Sequence, residues 1–162
     1  MNTNLPNGTV TFLFTDIEGS TKLWEQYPEA MKSALAKHFS ILKDAVELNH
    51  GQIFKTTGDG VNAVFVTAID AVQASIAAQY SFLKPLNEVQ INVRMGIHTG
   101  EAELRDGDYF GQTLNRTARI MSVGNGGQIL LSEVSTQLTH EHLSEGIVLA
   151  GADLPAQRSQ SA

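Results

Sequence analysis

The sequence predicts an α+β domain of the ferredoxin-like type, with its helices grouped on one side of an antiparallel or mixed sheet. Its 162 residues are 42% apolar and 17% charged, which suits one folded domain with a hydrophobic core. Short runs rich in β-branched and aromatic residues alternate with longer segments whose apolar residues recur at helical spacing. Their order is strand, helix, hairpin, helix, strand pair, helix and strand, which is typical of a βαββαβ domain.

The predicted strands are short apolar runs bounded by turn-forming residues. They cover residues 9–15, 52–56, 61–66, 91–97, 101–104 and 128–131. The tetrapeptide Thr57-Gly58-Asp59-Gly60 joins the second strand to the third and is typical of a hairpin turn. Gly100 lies between the fourth strand and the fifth, so we expect these two strands to pair with each other.

The predicted helices show apolar residues three and four positions apart. They cover residues 28–49, 67–83, 112–123 and 132–138. Pro28 suits a first helical turn, and Gly51 suits the end of the same helix. Thr67 and Asp70 resemble a capping box, and Ser132 is a typical N-cap of the last helix.

Local composition predicts the limits of the domain. Residues 1–8 are polar and form a lead-in, and residues 9–150 form the domain itself. Residues 151–162 are rich in Ala, Gln, Ser and Pro, so we expect a poorly ordered tail there.

Charge and residue types exclude several classes of function. The net charge is −6, from 11 basic and 17 acidic residues, which argues against a broad basic face for nucleic acid. The chain contains no cysteine, which excludes disulfides and thiolate chemistry. No apolar run approaches the roughly 20 residues of a membrane span, and the first residues do not resemble a signal peptide. We therefore expect a cytoplasmic protein without membrane insertion.

Two aspartates are predicted to meet at one edge of the sheet. Asp16 follows the first strand, and Asp59 lies in the hairpin turn. In a split βαβ arrangement the first strand and the hairpin are neighbours, about 5 Å apart. Two carboxylates that close repel each other unless a cation lies between them, and Mg²⁺ prefers such oxygen ligands. The alternatives are that Asp16 caps a helix and that Asp59 is an ordinary turn residue.

A second candidate site follows Asp16 directly. Gly19, Ser20 and Thr21 lead into a helix that we expect to begin near Lys22. Free N–H groups at the start of a helix bind phosphate, and glycine allows the backbone to approach closely. The alternative is a simple capped turn in which Ser20 or Thr21 is the cap.

Three stretches carry a resemblance to a known family. "FLFTDIEGST", "FKTTGDG" and "GDYFGQTLNRTARI" resemble the signature blocks of class III nucleotidyl cyclases, the adenylate and guanylate cyclase catalytic domain, from about Gly8 to Leu138. The resemblance implies a palm-type domain in which the ribose 3′-oxygen attacks the α-phosphate and pyrophosphate leaves. It also implies two Mg²⁺ or Mn²⁺ ions per site, held by Asp16, Asp59 and the backbone carbonyl of Ile17.

The same resemblance implies roles for four further side chains. Lys55 and Asp108 would read the adenine of ATP, Asn115 would orient the ribose, and Arg119 would stabilise the transition state. A lysine donor and an aspartate acceptor complement adenine, whereas guanine reverses the pattern at its 6-position. Guanylate cyclases of this family typically carry glutamate and cysteine instead. The resemblance further implies a homodimer whose two sites each combine the metal ligands of one copy with these four residues of its partner.

One departure from the family pattern leaves alternatives open. The family continues with a basic hairpin whose lysine contacts the triphosphate, and here a strand is expected over residues 145–150 before the chain diverges. The only Lys or Arg after Arg119 is Arg158. A weak or inactive cyclase-like module that binds nucleotide or dimerises is therefore one alternative, and a guanylate cyclase is another. A diguanylate cyclase lacks support, because its Gly-Gly-Asp/Glu-Glu-Phe signature is absent.

Two further expectations concern a histidine outside the proposed chemistry and the source of regulation. His98, in a Gly-Ile-His-Thr-Gly run, is expected to be structural, because the family gives it no role in proton transfer. No sensor segment is evident, so a regulatory partner or a further domain stays open as a source of control.

Overall fold

The computed structural model describes residues 4–142 of the chain. The strands are β1 (Gly8–Ile17), β2 (Gln52–Thr57), β3 (Gly60–Phe65), β4 (Val93–Arg105), β5 (Asp108–Phe110) and β6 (Ile129–Leu131). The helices are α1 (Ser20–Gln26), α2 (Ala30–Leu48), α3 (Ala68–Ser81), α4 (Gln112–Ser122) and α5 (Glu133–Thr139), with a 3₁₀ turn at His140–His142. The strand expected at 145–150 and the tail at 151–162 lie outside the described residues.

The sheet is mixed and has β1 near its centre. β1 pairs antiparallel with β3 on one side and with β4 on the other, and β2 pairs antiparallel with β3. β6 runs parallel to β4, and β5 forms a hairpin with the far end of β4. The predicted α+β class is therefore confirmed. None of the helices within residues 4–142 is both long and apolar enough to cross a bilayer.

Two paired strands were expected on either side of Gly100. This prediction is wrong, because β4 is one continuous strand of 13 residues. Gly100 pairs with Val10 of β1, inside the ladder. A Cβ atom at this position would lie 2.8 Å from Oγ1 of Thr113, so the glycine lets α4 approach the strand. The chain turns later, at Asp106 and Gly107, where φ is +54° and +77°. Positive φ at both positions is typical of a type I′ hairpin.

Each face of the sheet has its own apolar core. On one face, alternate residues of β1 such as Leu13 and Ile17 pack with buried residues of α2 and α3. On the other face, Phe12, Phe14 and Tyr109 form a smaller core, against which partly buried residues of α4 pack.

The expected grouping of helices on one side fails for α4, which lies on the face opposite α2 and α3. The aromatic residues on that face need apolar cover, which the inner side of α4 supplies. Gly96 permits the approach, because a Cβ there would lie 2.5 Å from the backbone nitrogen of Met121. We name the two sides of the sheet the α2/α3 face and the α4 face.

Candidate active site

The strand register brings the two predicted metal carboxylates to the same end of the sheet. Thr15 of β1 pairs with Val61 of β3, so the end of β1 lies beside the turn that begins β3. Asp16 is the next residue along β1, and Asp59 lies in that turn. Gly58 takes φ +60° at the first turn position, where L-residues with side chains are strained. The local structure expected from the Thr-Gly-Asp-Gly stretch is therefore present.

The carboxylate of Asp16 is bound by an arginine that the sequence analysis missed. Arg94 lies directly opposite Asp16 in the β1–β4 ladder. Its Nε donates to Oδ1 at 2.7 Å and its Nη2 to Oδ2 at 2.5 Å, and Nη1 donates to the carbonyl of Ser122 at 3.2 Å. A signal was available, because Arg94 is the only Lys, Arg, Asp or Glu between Val89 and Gly100.

The electrostatics at Arg94 describe the surroundings of the site. Its pKa is raised, first by the hydrogen bond to Asp16 and then, against the effect of partial burial, by the charges of Asp16, Glu18 and Asp59. Three carboxylates therefore act on one guanidinium. This end of the sheet has an excess of negative charge, and a cation is the natural ligand for it.

The donor set fits a hard divalent cation that brings other ligands of its own. Asp16, Asp59 and the carbonyl of Ile17 offer oxygen atoms, which suit Mg²⁺ or Mn²⁺. Within residues 4–142 no group of three or more His, Asp or Glu side chains is arranged to hold a metal. Any ion here would thus complete its shell with water or substrate phosphates, and Arg94 would have to release Asp16 to it.

The turn after Asp16 is not the simple capped turn, with Ser20 or Thr21 as the cap, that was the alternative to a phosphate site. Gly19 occupies the N-cap position of α1 with φ +67°, and no side chain caps this helix. Ser20 and Thr21 are the first two residues of α1, so neither is the N-cap. Phosphate binding at this turn stays a prediction.

The two residues predicted to read adenine contact each other. Lys55 Nζ lies 2.8 Å from Oδ2 of Asp108, and the backbone N–H of Tyr109 donates to Oδ1 of Asp108 at 2.7 Å. Partial burial acts to raise the pKa of Asp108, but the lysine hydrogen bond, the Tyr109 N–H and the lysine charge together lower it. Asp108 is therefore an ionised acceptor at neutral pH, held beside a cationic donor.

A β-bulge in β2 directs Lys55 to this contact. Ile53 pairs with Ala63 and Lys55 pairs with Asn62, so Phe54 is an extra residue in the strand. Ile53 packs on the α2/α3 face and Phe54 on the α4 face. Regular alternation would return Lys55 to the α2/α3 face, and the bulge cancels that alternation.

Asn115 and Arg119 lie four residues apart on α4, on one side of the helix. Both are exposed, and among residues 4–142 neither side chain has a hydrogen-bond or ion-pair partner. The structure thus presents the pair to the outside of the α4 face. Their roles in orienting ribose and stabilising the transition state stay predictions.

His98 is buried in a network of hydroxyl groups. Its Nδ1 lies 2.8 Å from Oγ of Ser132, which in turn contacts Oγ of Ser135 at 3.2 Å. Ser135 contacts Thr99 at 2.9 Å, and Thr99 contacts Thr11 at 2.8 Å. Burial, then the charge of a nearby arginine, lowers the pKa of His98. This network joins β1, β4 and α5, which supports the structural role expected for the histidine.

Comparison with known proteins defines the class to which this fold and site belong. The family model of the adenylate and guanylate cyclase catalytic domain matches residues 3–149. The chain therefore belongs to the adenylate and guanylate cyclase catalytic domain family, as the three sequence stretches indicated.

Individual relatives place the chain more closely. An uncharacterised protein of Mycobacterium tuberculosis is 40% identical over 136 residues, which cover 82% of this chain and 46% of the relative. The adenylate cyclase of Podospora anserina is 33% identical over 170 residues, which cover 86% of this chain and 8% of that protein. The chain thus spans about half the length of the mycobacterial relative and a small part of the fungal one.

Solved structures agree with the assignment. A structure of a Trypanosoma brucei adenylate cyclase in its monomeric state superposes with a TM-score of 0.76 at 27% identity. The match covers 86% of this chain and 78% of that chain.

Proposed function

We propose that this chain is an adenylate cyclase that converts ATP to 3′,5′-cyclic AMP and pyrophosphate. The observation that carries the proposal is the Lys55–Asp108 contact of 2.8 Å, in a chain of the cyclase family. The lysine donates to a ring nitrogen of adenine and the aspartate accepts from its amino group. Guanine offers a carbonyl oxygen in place of that amino group, which would leave a carboxylate facing an oxygen.

The reaction replaces one oxygen substituent of the α-phosphorus with another. The ribose 3′-oxygen forms a bond to the α-phosphorus as the bond from that phosphorus to the bridging oxygen of the β-phosphate breaks, so pyrophosphate leaves, and the 3′-hydroxyl proton is released to solvent. Asn115 holds the ribose so that the 3′-oxygen faces the phosphorus. The guanidinium of Arg119 binds the negative charge that grows on the α-phosphate in the transition state.

The metal ligands proposed for this reaction are Asp16, Asp59 and the carbonyl of Ile17. Mg²⁺ or Mn²⁺ held there would supply positive charge that favours ionisation of the 3′-hydroxyl and departure of pyrophosphate. The chain's own contribution is a pair of carboxylates at one end of the sheet, with Arg94 as their counter-ion in the structure. Backbone N–H groups of Gly19, Ser20 and Thr21 are proposed to contact the phosphates.

We further propose that two copies of the chain form the active unit, with metal ligands from one copy and the reading residues from its partner. The exposure of Asn115 and Arg119 supports this arrangement, since both side chains project from the α4 face toward solvent. A second copy placed against that face would bury them beside its own carboxylates. Activity should then rise more steeply than protein concentration in the range where dimers form.

The direct test measures cyclic AMP and cyclic GMP formed from ATP and from GTP with Mn²⁺, over a range of protein concentrations. We expect cyclic AMP, with specific activity increasing with concentration. Asp59→Ala should abolish it, whereas Asp44→Ala, at an exposed position of α2, should not. No cyclic product from either nucleotide would contradict the proposal.

A second candidate function is a nucleotide-binding module without turnover. The observation that favours it is the pair of hydrogen bonds from Arg94 to Asp16. These bonds compete with any metal for both carboxylate oxygens. Binding of ATP, measured by calorimetry, without cyclic product at any Mn²⁺ concentration would select this candidate.

A further inference from the structure

An aromatic cluster lies beneath the pair of residues that is proposed to read adenine. The rings of Phe54 and Tyr109 meet edge to face, with centroids 4.9 Å apart and planes inclined at 74°. Both rings also contact Phe12 of β1, at centroid distances of 5.7 Å and 5.1 Å. We name these three residues the aromatic cluster, which lies on the α4 face.

The cluster is joined to the ion pair through the chain itself. Phe54 is the residue before Lys55, and Tyr109 is the residue after Asp108. The backbone N–H of Tyr109 donates directly to the carboxylate of Asp108. A movement of either ring relative to the other would therefore change the separation of the lysine and the aspartate.

The topology explains why such a link is needed. Over the described residues the sheet order is β2-β3-β1-β4-β5, so three strands separate the strand of Lys55 from the strand of Asp108. Within the described residues no backbone ladder pairs these two strands directly. The β4–β5 hairpin instead reaches β2 across the α4 face, where its Tyr109 ring packs on Phe54.

We propose that Phe54 and Tyr109 are positioning residues that hold Lys55 and Asp108 in a preformed arrangement for the edge of adenine. This inference rests on the proposed function for the identity of the base. A pair of side chains that is already arranged before the nucleotide binds loses less conformational entropy on binding. The rings thus act on the affinity and selectivity for ATP rather than on the chemical step.

The hydroxyl group of Tyr109 extends the cluster to the residues before β1. It donates to the carbonyl of Pro6, and Leu5 is buried in the same core. Both the ring and the hydroxyl of this tyrosine are therefore anchored, the first by Phe12 and Phe54 and the second by the lead-in. This double anchoring is what a positioning residue requires.

The test replaces one ring of the cluster and measures both recognition and the ion pair. Phe54→Leu should raise the KM for ATP about tenfold, leave kcat within about twofold and leave the KM for GTP unchanged. In the same variant without nucleotide, NMR titration of carboxyl-labelled protein should show the pKa of Asp108 rising toward its ordinary value, because Lys55 is no longer held against it.

Two variants control for a general loss of stability. Phe82→Leu makes the same change in the core of the α2/α3 face and should lower the melting temperature without altering the KM for ATP or the pKa of Asp108. Phe54→Tyr keeps the ring and should restore both values. If Phe54→Leu does not fold, Tyr109→Leu removes the other ring and is measured in the same way.

The two readouts separate failure of this inference from failure of the proposed function. If the wild type has no cyclase activity, the titration still decides: a raised pKa of Asp108 in Phe54→Leu supports positioning, and an unchanged pKa overturns it. If the wild type is active, an unchanged KM for ATP in Phe54→Leu, with a melting temperature lowered as in Phe82→Leu, overturns it as well.

Discussion

The two faces of the sheet are built from alternate residues of the same strands, yet they differ in chemistry. Along β1, Leu13 and Ile17 enter the α2/α3 face, which is packed almost entirely from aliphatic side chains. Phe14 and Asp16 enter the α4 face, which combines aromatic rings with ion pairs at two places. The period of two in a strand thus allows one segment to pack an aliphatic core on one side and to carry part of the proposed site on the other.

This division makes a general prediction about mutations. A change on the α2/α3 face should alter the free energy of unfolding and leave the kinetics of the folded protein intact. A change at the proposed site residues of the α4 face should alter the kinetics and leave stability almost intact. The four predictions that follow test the division, beginning with the largest effect.

Arg119→Ala should have the largest effect on activity. Removing a donor that acts only in the transition state typically costs about 10²–10³ in kcat. The melting temperature should change little, because Arg119 is exposed. The matched control is Arg116→Ala, an exposed arginine on the same helix, which should keep its kcat within a few-fold of the wild type. Equal losses in the two variants would remove Arg119 from the proposed mechanism.

Leu42→Ala tests the α2/α3 face. This α2 side chain is 0% exposed, and its truncation should lower the free energy of unfolding by roughly 2–5 kcal/mol, as measured by urea denaturation. At a temperature where the variant is folded, its KM for ATP should match that of the wild type. A changed KM with unchanged stability would contradict the division between the faces.

His38 makes stability depend on pH. It is buried on α2, and within residues 4–142 both ring nitrogens lack a hydrogen-bond partner. Burial lowers its pKa from 6.5 to about 4, although the charge of Asp59 and the nearby backbone of Leu35 act in the opposite direction. The unfolded chain therefore binds more protons between these two values, and stability falls as the pH falls through that range.

The size of this effect is up to about 3 kcal/mol, the free-energy equivalent of the depressed pKa. His38→Leu should therefore show a flatter stability curve than the wild type between pH 6.5 and pH 4, when both are measured by urea denaturation. An equal slope in His38→Leu and the wild type would show that His38 is not buried as described.

Arg94→Gln gives the smallest of the four effects and concerns metal affinity. Arg94 holds both oxygens of Asp16, so its removal should free that carboxylate and tighten Mn²⁺ binding by about tenfold in the absence of nucleotide. Electron paramagnetic resonance of free Mn²⁺ measures this affinity directly. Asp16→Asn is the companion variant and should weaken binding. Unchanged or weaker binding in Arg94→Gln would show that the arginine does not compete with the ion.

The sequence was most informative where structure and chemistry depend on neighbours in the chain. Motif spacing placed Asp59 in a turn and Asn115 with Arg119 on one helix, and the structure has both local features. Asp16, expected just after the first strand, is instead the last residue but one of β1. Turn residues and caps act over a few positions, so they are visible without knowledge of the fold.

The features that were missed depend on register between distant segments. The Arg94–Asp16 pair joins residues 78 positions apart, and only the β1–β4 ladder places them opposite each other. Gly100 has the composition of a turn residue but serves the approach of α4, which is set by tertiary packing. The bulge that directs Lys55 to the α4 face leaves no clear mark in the sequence, because it adds one residue to an otherwise regular strand.

A competition between ATP and GTP tests whether the Lys55–Asp108 pair recognises adenine. Equal concentrations of ATP and GTP are supplied with Mn²⁺ to the wild type and to a double variant, Lys55→Glu with Asp108→Cys. We expect that the wild type forms cyclic AMP in more than about tenfold excess, and that the double variant shifts the product toward cyclic GMP. A wild type that forms mainly cyclic GMP, or a ratio that both proteins share, would contradict it.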